Sequence, residues 1–328
     1  MPMTERRSLE AMVCLEAGRT MDEETQRMRL GAPCRNRRMA FRALRVSAIA
    51  ARGLAPVSRV AAVLGLISVL GLAPFPGHAA LPGPTAASGG DTLRVVAYNI
   101  KHGRGMDDRV DLQRVARVLR GLDADVIALQ EVDDRTERTD RVDQVAVLAE
   151  TLGYRGFHGP HRPYQGGHYG NAVLTRLPVR EVRTRPIPPA SGSALAVLEV
   201  RVDLPSGATA SVVSVHLAGS VEERMAQAEA VTESFAGTDH AVVLAGDFNG
   251  RPGGPVVTRL RADWQVATKS GSPYTYPADT PDREIDFVMI RPSDALEVLE
   301  HRVVPESMAA DHRPLLAVLR FPSSSDGP

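Results

Sequence analysis

From Asp91 onward the chain alternates short apolar runs with amphipathic stretches. Leu93–Tyr98 (LRVVAY) reads as a β-strand. After it, Asp111 opens a segment in which Leu112, Val115, Leu119 and Leu122 recur at helical spacing, with Gly121 near its end. Asp125–Leu129 predicts a buried strand and Asp143–Leu152 a second helix. Strands are predicted at Ala172–Thr175, Ala194–Val202 and Ala208–Leu217, separated by turn residues as in antiparallel sheet. Val221–Phe235 reads as helix, and Ala241–Ala245, Ile285–Ile290 and Pro314–Leu319 as the remaining strands. Two rounds of strand and helix, with no solenoid period, predict an α/β fold with two sheets in one domain over 93–322.

Upstream the pattern changes. Arg52 and Arg59 precede an uncharged run, Val60–Phe75, which meets Pro74, Pro76 and the small-residue stretch Gly77-His78-Ala79-Ala80. Basic, apolar and small segments in that order form a secretory signal, with cleavage expected after Ala79. The run falls short of the ~20 residues that a spanning helix needs, so a stable transmembrane anchor is not expected. No Cys follows it, which excludes a lipid-modified cysteine at the cleavage point. Residues 1–38 have no periodic pattern, and translation is expected to begin nearer Met39. Residues 81–92 read as a linker and 323–328 as a tail.

Charge sharpens this division. The chain carries 39 Lys+Arg and 39 Asp+Glu, but residues 1–80 hold 12 Arg and 6 acidic residues, leaving 27 basic and 33 acidic residues, a net −6, for 81–328. Such a body has no general attraction for polyanions, so any grip on nucleic acid has to be local. Cys14 and Cys34 both lie upstream, which removes disulfide, cysteine-metal and thiol chemistry from 81–328.

Polar residues collect at the predicted strand ends. Asn99 follows the first strand, Glu131 follows Val126–Gln130, and His216 ends Val212–Val215. Asp247 and Asn249 follow Val242–Ala245, Asp286 opens a strand, and Asp311-His312 precedes the last one. Strand ends fix the backbone while letting side chains project into a crevice. Acids, amides and imidazoles together suit a hydrolytic metal site, in which a hard cation such as Mg²⁺ takes carboxylate oxygen and keeps positions open for phosphate.

The blocks Val96-Ala97-Tyr98-Asn99-Ile100, Leu129-Gln130-Glu131-Val132, Tyr169–Arg176, Ser214-Val215-His216-Leu217, Gly246-Asp247-Phe248-Asn249, Ile285-Asp286-Phe287 and Ala310–Pro314 occur in one order across 94–319. In these blocks the chain resembles the endonuclease/exonuclease/phosphatase superfamily. The resemblance implies a four-layer αββα sandwich of two packed mixed β-sheets, with the site at one end. It implies Glu131 as principal ligand of Mg²⁺ or Mn²⁺, aided by Asn99 and Asp311. Asp247 would align or deprotonate the attacking water, and Asn249 would hold water or phosphate. Asp286 would orient His312 on the scissile phosphate, His216 would serve the leaving oxygen, and Asn171 would contact substrate.

The resulting expectation is a secreted phosphoester hydrolase, a phosphodiesterase with extracellular nuclease activity as the leading specific reading. A phospholipid or small-phosphoester substrate is the alternative, and a non-catalytic binding module on the same scaffold is the reading from another class. No obligate protein partner is indicated. Arg104 and Arg109, in the Gly-rich loop after Asn99, are expected to reach a phosphate near the metal. Lys101, Arg135, Arg138, Arg141, Arg162 and Arg176 could also ring the mouth. The histidine-bearing segment Phe157–Tyr169 is expected to be a loop of the substrate wall.

Overall fold

A computed structural model describes residues 91–322. The expected secretory signal, most of the expected linker and the tail lie outside them. Strands β1 (Thr92–Asn99), β2 (Val126–Asp134), β3 (Arg155–Tyr164), β4 (Gly167–Thr175), β5 (Val179–Ala190) and β6 (Ser193–Asp203) come first. They are followed by β7 (Thr209–His216), β8 (Ala241–Asp247), β9 (Gln265–Val266), β10 (Asp286–Ile290), β11 (Glu297–Val303) and β12 (Leu315–Arg320). Helices α1 (Leu112–Arg120), α2 (Gln144–Leu152), α3 (Val221–Ser234) and α4 (Pro255–Leu260) connect them. The helices start where side chains can take up free backbone donors. Asp111 accepts from the Arg114 amide, Asp143 from the Ala146 amide, and Ser220 and Glu223 form a reciprocal capping box.

Two six-stranded mixed sheets result, one ordered β11-β12-β1-β2-β4-β3 and the other β5-β6-β7-β8-β10-β9. Each has one parallel pair, β1 with β2 and β7 with β8, and in both cases a helix makes the crossover. Period-two alternation sorts the apolar residues. Leu93, Val95 and Ala97 of β1 pack with Val243 and Ala245 of β8 and Leu315, Ala317 and Leu319 of β12 between the sheets. Val96 and Tyr98 instead meet Val115, Leu119 and Leu148 of α1 and α2, while Val242 and Leu244 meet Val231, Val256 and Leu260 of α3 and α4. The layers are therefore helix, sheet, sheet, helix, as the motif blocks imply. Among the described residues no helix is long and apolar enough to cross a membrane.

The same alternation builds the site. Continuing the inward-facing series beyond the apolar core reaches Asn99 on β1, Ser214 and His216 on β7, Asp247 on β8, Asp286 on β10 and Asn171 on β4. The core between the sheets thus becomes polar at one end without any change of strand pattern. The segment Phe157–Tyr169 departs from expectation. It is not a loop but the greater part of the β3–β4 hairpin, with a turn at Gln165-Gly166. Pro160 and Pro163 are tolerated because β3 is an edge strand, where a missing amide leaves no partner unsatisfied.

Candidate active site at one end of the sheets

At the C-terminal end of β1, Asn99 is 1 % exposed and links the two sheets. Its Nδ2 donates to Glu131 Oε1 at 3.1 Å and to Asp247 Oδ2 at 3.3 Å, while its Oδ1 accepts from the Lys101 backbone amide at 3.1 Å. The two carboxylates come from different sheets, so one amide sets the distance between them. Glu131 sits in a bulge of β2, between Leu129 and Val132, in left-handed backbone with φ 57°. A bulge re-aims a side chain that regular alternation would turn away. Lys101, His102 and Asn249 are also left-handed, with φ of 44°, 46° and 46°. Each such non-glycine residue carries about 1–3 kcal/mol of strain. Four of the twelve left-handed non-glycine residues among those described thus lie at this end, the others being in turns elsewhere.

Asp247 ends β8 directly after Gly246, whose φ is 150°. A Cβ on Gly246 would run into the Val215 carbonyl oxygen and the Gln130 amide, so only glycine lets β7 and β8 close around Asp247. Asp247 Oδ1 accepts from the Asn249 amide at 2.8 Å. Its Oδ2 lies 3.7 Å from both His216 Nε2 and His312 Nε2. His312 Nδ1 in turn donates to Asp286 Oδ2 at 2.9 Å. Tyr276 packs on the His312 ring with centroids 4.8 Å apart. Burial pushes the Asp247 carboxyl up, and the negative charge of Asp286 adds to it, giving a pKa of about 6 despite His312 and His216. His312 goes the other way. Burial alone would lower it, but Asp286 and Asp247 outweigh that and raise it to about 10, so the ring is an imidazolium at neutral pH.

Glu131 is half-buried, and burial opposes its charge. His216, the Asn99 amide and His312 more than offset this, leaving the carboxyl below its ordinary value. Asn99 is its hydrogen-bond donor, and among the described residues no Lys, Arg or His lies within ion-pairing distance of it. Asp311 differs, because Lys101 Nζ already occupies its Oδ2 at 2.8 Å. Four carboxylates, Glu131, Asp247, Asp286 and Asp311, thus face Lys101 and the His312 imidazolium as compensating charge. That excess of hard anionic oxygen suits a divalent cation. Donor atoms of Asp247, Asp286 and His312 also lie within 4.8 Å of one another. In that trio the imidazolium itself already supplies the positive charge, whereas Glu131 has no such partner.

Other expected residues are placed differently. Asn171 is fully buried, and its Nδ2 donates to the Ala196 and Ser214 carbonyls at 3.2 and 3.0 Å. Inward alternation carries Asn171 between the sheets, where its Nδ2 fastens one to the other while its Oδ1 has no partner among the described residues. Asn249 commits its Nδ2 to the Leu217 carbonyl at 2.8 Å, which leaves Oδ1 as its remaining polar group. Arg104 pairs with Asp108 at 2.8 Å, and Arg109 is exposed in the same loop. The residue-type pattern had not singled out Gln130 and Ser214. The Gln130 Nε2 donates to Ser214 Oγ at 2.9 Å, a second tie between the sheets beneath the candidate site. Their inward position in β2 and β7 was the available signal.

Residues 96–326 match the model of the Endonuclease/Exonuclease/phosphatase family. The chain belongs to that family. It is 27% identical over 247 residues to the uncharacterized protein YbhP of Escherichia coli K12, covering 70% of this chain and 97% of that protein. An endonuclease/exonuclease/phosphatase protein from Beutenbergia cavernae superposes with a TM-score of 0.56 at 25% identity, over 71% of this chain and 72% of its own. The human nocturnin catalytic domain, solved with bound sulfate, superposes at 0.55 and 19% identity, over 70% and 95%. The latter likeness is one of fold. Family membership makes the chain a phosphoester hydrolase of divalent-metal-dependent type, and the crevice holding Asn99, Glu131, Asp247, Asp286 and His312 is where its acidic and imidazole groups converge.

Proposed function

We propose that the chain is an exported, Mg²⁺-dependent phosphodiesterase. The observation that carries this reading is the continuous contact path Glu131–Asn99–Asp247–His312–Asp286 across the two sheets. It sets a carboxylate without a cationic partner beside an acid–imidazolium pair, which in-line attack on phosphorus requires. Glu131 and Asn99 would hold Mg²⁺, with Asp311 joining once Lys101 turns to the phosphate. When bound, the ion supplies Lewis acidity at a phosphoryl oxygen. Asp247, ionised above a pH of about 6, orients the attacking water and accepts its proton. His312, held by Asp286, donates from Nε2 to a phosphoryl oxygen, and His216 serves the leaving oxygen.

Substrate size is argued from charge. Of the eight basic residues expected around the mouth, Arg176 lies instead at the opposite end of the sheet, on Asp123 and Asp125 at the start of β2, and five others already have carboxylates: Lys101 with Asp311, Arg104 with Asp108, Arg135 with Asp134 and Asp143, Arg138 with Asp133 and Arg141 with Glu137. Only Arg109 and Arg162 of that set are without one among the described residues. With a body at −6, this supports a short phosphodiester over a long duplex. Nuclease activity is retained as the second reading because those two arginines could contact a phosphate backbone.

Residues 81–328 should hydrolyse bis(4-nitrophenyl) phosphate with Mg²⁺ or Mn²⁺ and stop in EDTA. Glu131→Gln should lower turnover roughly 10³-fold, with partial recovery at high Mg²⁺. Undiminished hydrolysis in EDTA would overturn metal dependence. Duplex cleavage faster than that of a dinucleotide would favour the nuclease.

A further inference from the structure

The β3–β4 hairpin lies at the catalytic end and carries polar groups that the phosphodiesterase steps leave unused. Arg162 stacks over the rings of Tyr164 and Tyr169, with its guanidinium carbon 5.7 and 5.5 Å from their centroids. Arg138 lies over the same rings at 4.7 and 5.6 Å, but it also makes a bidentate pair with buried Asp133, at 2.7 and 2.8 Å. The neighbouring arginine is thus neutralised, whereas Arg162 lies over the rings with no carboxylate partner among the described residues. A stacked guanidinium keeps its edge donors free and loses little rotamer freedom on binding an anion.

The residue beside it gives an independent sign. His161 is the extra residue of a bulge in β3, between Pro160 and Arg162. It is 7 % exposed, and among the described residues neither ring nitrogen makes a well-formed hydrogen bond, the Ala196 backbone being its nearest polar neighbour. Its ring packs edge-on against Tyr169 at 5.9 Å, and it lies near His216. Buried polar atoms are rarely left unpaired, and those that are mark places for an ordered water, an ion or a function. The hydroxyl of Tyr169 is similarly within electrostatic reach of Glu131 and Arg162. Bulges on strands β2 and β3, which flank β4, thus carry Glu131 and His161, and Arg162 follows His161 directly.

We propose that Arg162, with His161 and Tyr169, forms an anion subsite that binds a second phosphate carried by the substrate on the His216 side of the scissile phosphodiester. The inference rests on the phosphodiesterase reading for its orientation and narrows the substrate to a short diester whose leaving group is itself phosphorylated. Arg162 would bind the terminal phosphate through its guanidinium edge, and the His161 ring would offer a donor along the connecting group. No bond is made or broken at this subsite.

The test is calorimetric titration of the Mg²⁺-loaded protein with propyl phosphate and with propane-1,3-diyl bisphosphate, each corrected for metal binding by the ligand. The wild-type protein should prefer the bisphosphate by about tenfold, the effect of one charge-assisted hydrogen-bonded pair. Arg162→Ala should bring the ratio close to one while leaving propyl phosphate affinity and thermal stability unchanged. Arg162→Lys, which keeps the charge without the planar edge, should be intermediate. A ratio unchanged in Arg162→Ala, or no preference in the wild type, overturns the subsite. Because binding is read without turnover, a protein that shows the Arg162-dependent ratio yet hydrolyses no phosphodiester would sink the catalytic reading alone.

Discussion

Strand β7 carries a cluster of acid, hydroxyl and imidazole groups at each end, and the two clusters differ in what they leave unpaired. Near its start, Ser211 Oγ donates to Glu199 Oε1 at 2.6 Å and accepts from His240 Nε2 at 2.8 Å. His240 Nδ1 reaches Asp239 at 3.1 Å, and Glu199 is held by Arg185 at 2.8 Å. By residue type this resembles a nucleophile with its base. The hydroxyl proton, however, points at Glu199, Ser211 is fully buried, and the named groups all have partners. At the other end His216 meets Asp247 at only 3.7 Å, its Nδ1 has no partner, and left-handed backbone surrounds it at Glu131 and Asn249. Residue identity alone does not separate a site from a scaffold. Between these two clusters, the unpaired imidazole nitrogen and the left-handed neighbours make the difference.

Substitutions at the catalytic end should change rate without changing stability. Asp247→Asn preserves shape while removing the proton acceptor, so kcat should fall roughly 10²–10⁴-fold with a smaller change in KM. Steady-state kinetics on a chromogenic diester would decide it. A rise in KM with kcat preserved would move Asp247 from water activation to substrate binding. Asp286→Asn acts one step further away, through the orientation and charge of His312. A loss of roughly 10- to 100-fold is expected, as for other carboxylates that fix a functional imidazole. Activity equal to wild type would remove the acid–imidazolium pair from the mechanism.

What could be read from the sequence follows the same logic of position. The eight strands predicted from apolar runs are the eight interior strands of the two sheets. The four that were missed, β3, β5, β9 and β11, are the four edges. Edge strands escape detection for a physical reason. One side of their backbone needs no partner, so β5 can contain Pro186, Pro188 and Pro189, and β3 can contain Pro160 and Pro163. Their faces also carry charge, as in Arg180, Arg183 and Arg185 of β5. The site was legible because its residues continue interior strands, where the pattern is strongest. Asn171 shows the limit of that reading. Its place in a motif did not reveal that the amide faces backbone carbonyls between the sheets. The pairing of five mouth cations with nearby acids, Lys101 with Asp311 among them, and the position of Arg176 at the far end of the sheet depended on loop geometry that periodicity does not encode.

At the opposite end of β7, the expected response is inverted. Ser211→Ala removes the shared hydroxyl, leaving Glu199, 3 % exposed, with an unsatisfied oxygen and His240 without its Nε2 partner. The loss should be about 1–3 kcal/mol of stability, seen as a lower midpoint in denaturant at unchanged slope, with kcat within twofold of wild type. A tenfold fall in kcat at wild-type stability would make this cluster functional and erase the contrast between the ends.

The smallest effect is set by a histidine that has no carboxylate partner. His312 and His301 are both buried, but His312 faces Asp286 and Asp247, whereas His301 donates from Nδ1 to the Ala267 carbonyl at 2.9 Å and lies near the Lys269 ammonium. Burial, reinforced by Lys269, lowers His301 to about 4 from an ordinary value of 6.5. The unfolded chain therefore binds a proton between pH 6.5 and 4 that the folded protein does not. Stability from this group is fully present above pH 6.5, declines as pH falls towards 4, and stops changing below that. At pH 5 the protonated unfolded chain should gain about 2 kcal/mol from this residue. His301→Gln lacks the titration and can still donate to Ala267, so its stability should fall less than wild type between pH 7 and 5. Denaturant midpoints at the two pH values measure the difference. Equal declines in both proteins would show that His301 titrates normally, and that burial without a partner does not by itself separate the two imidazoles.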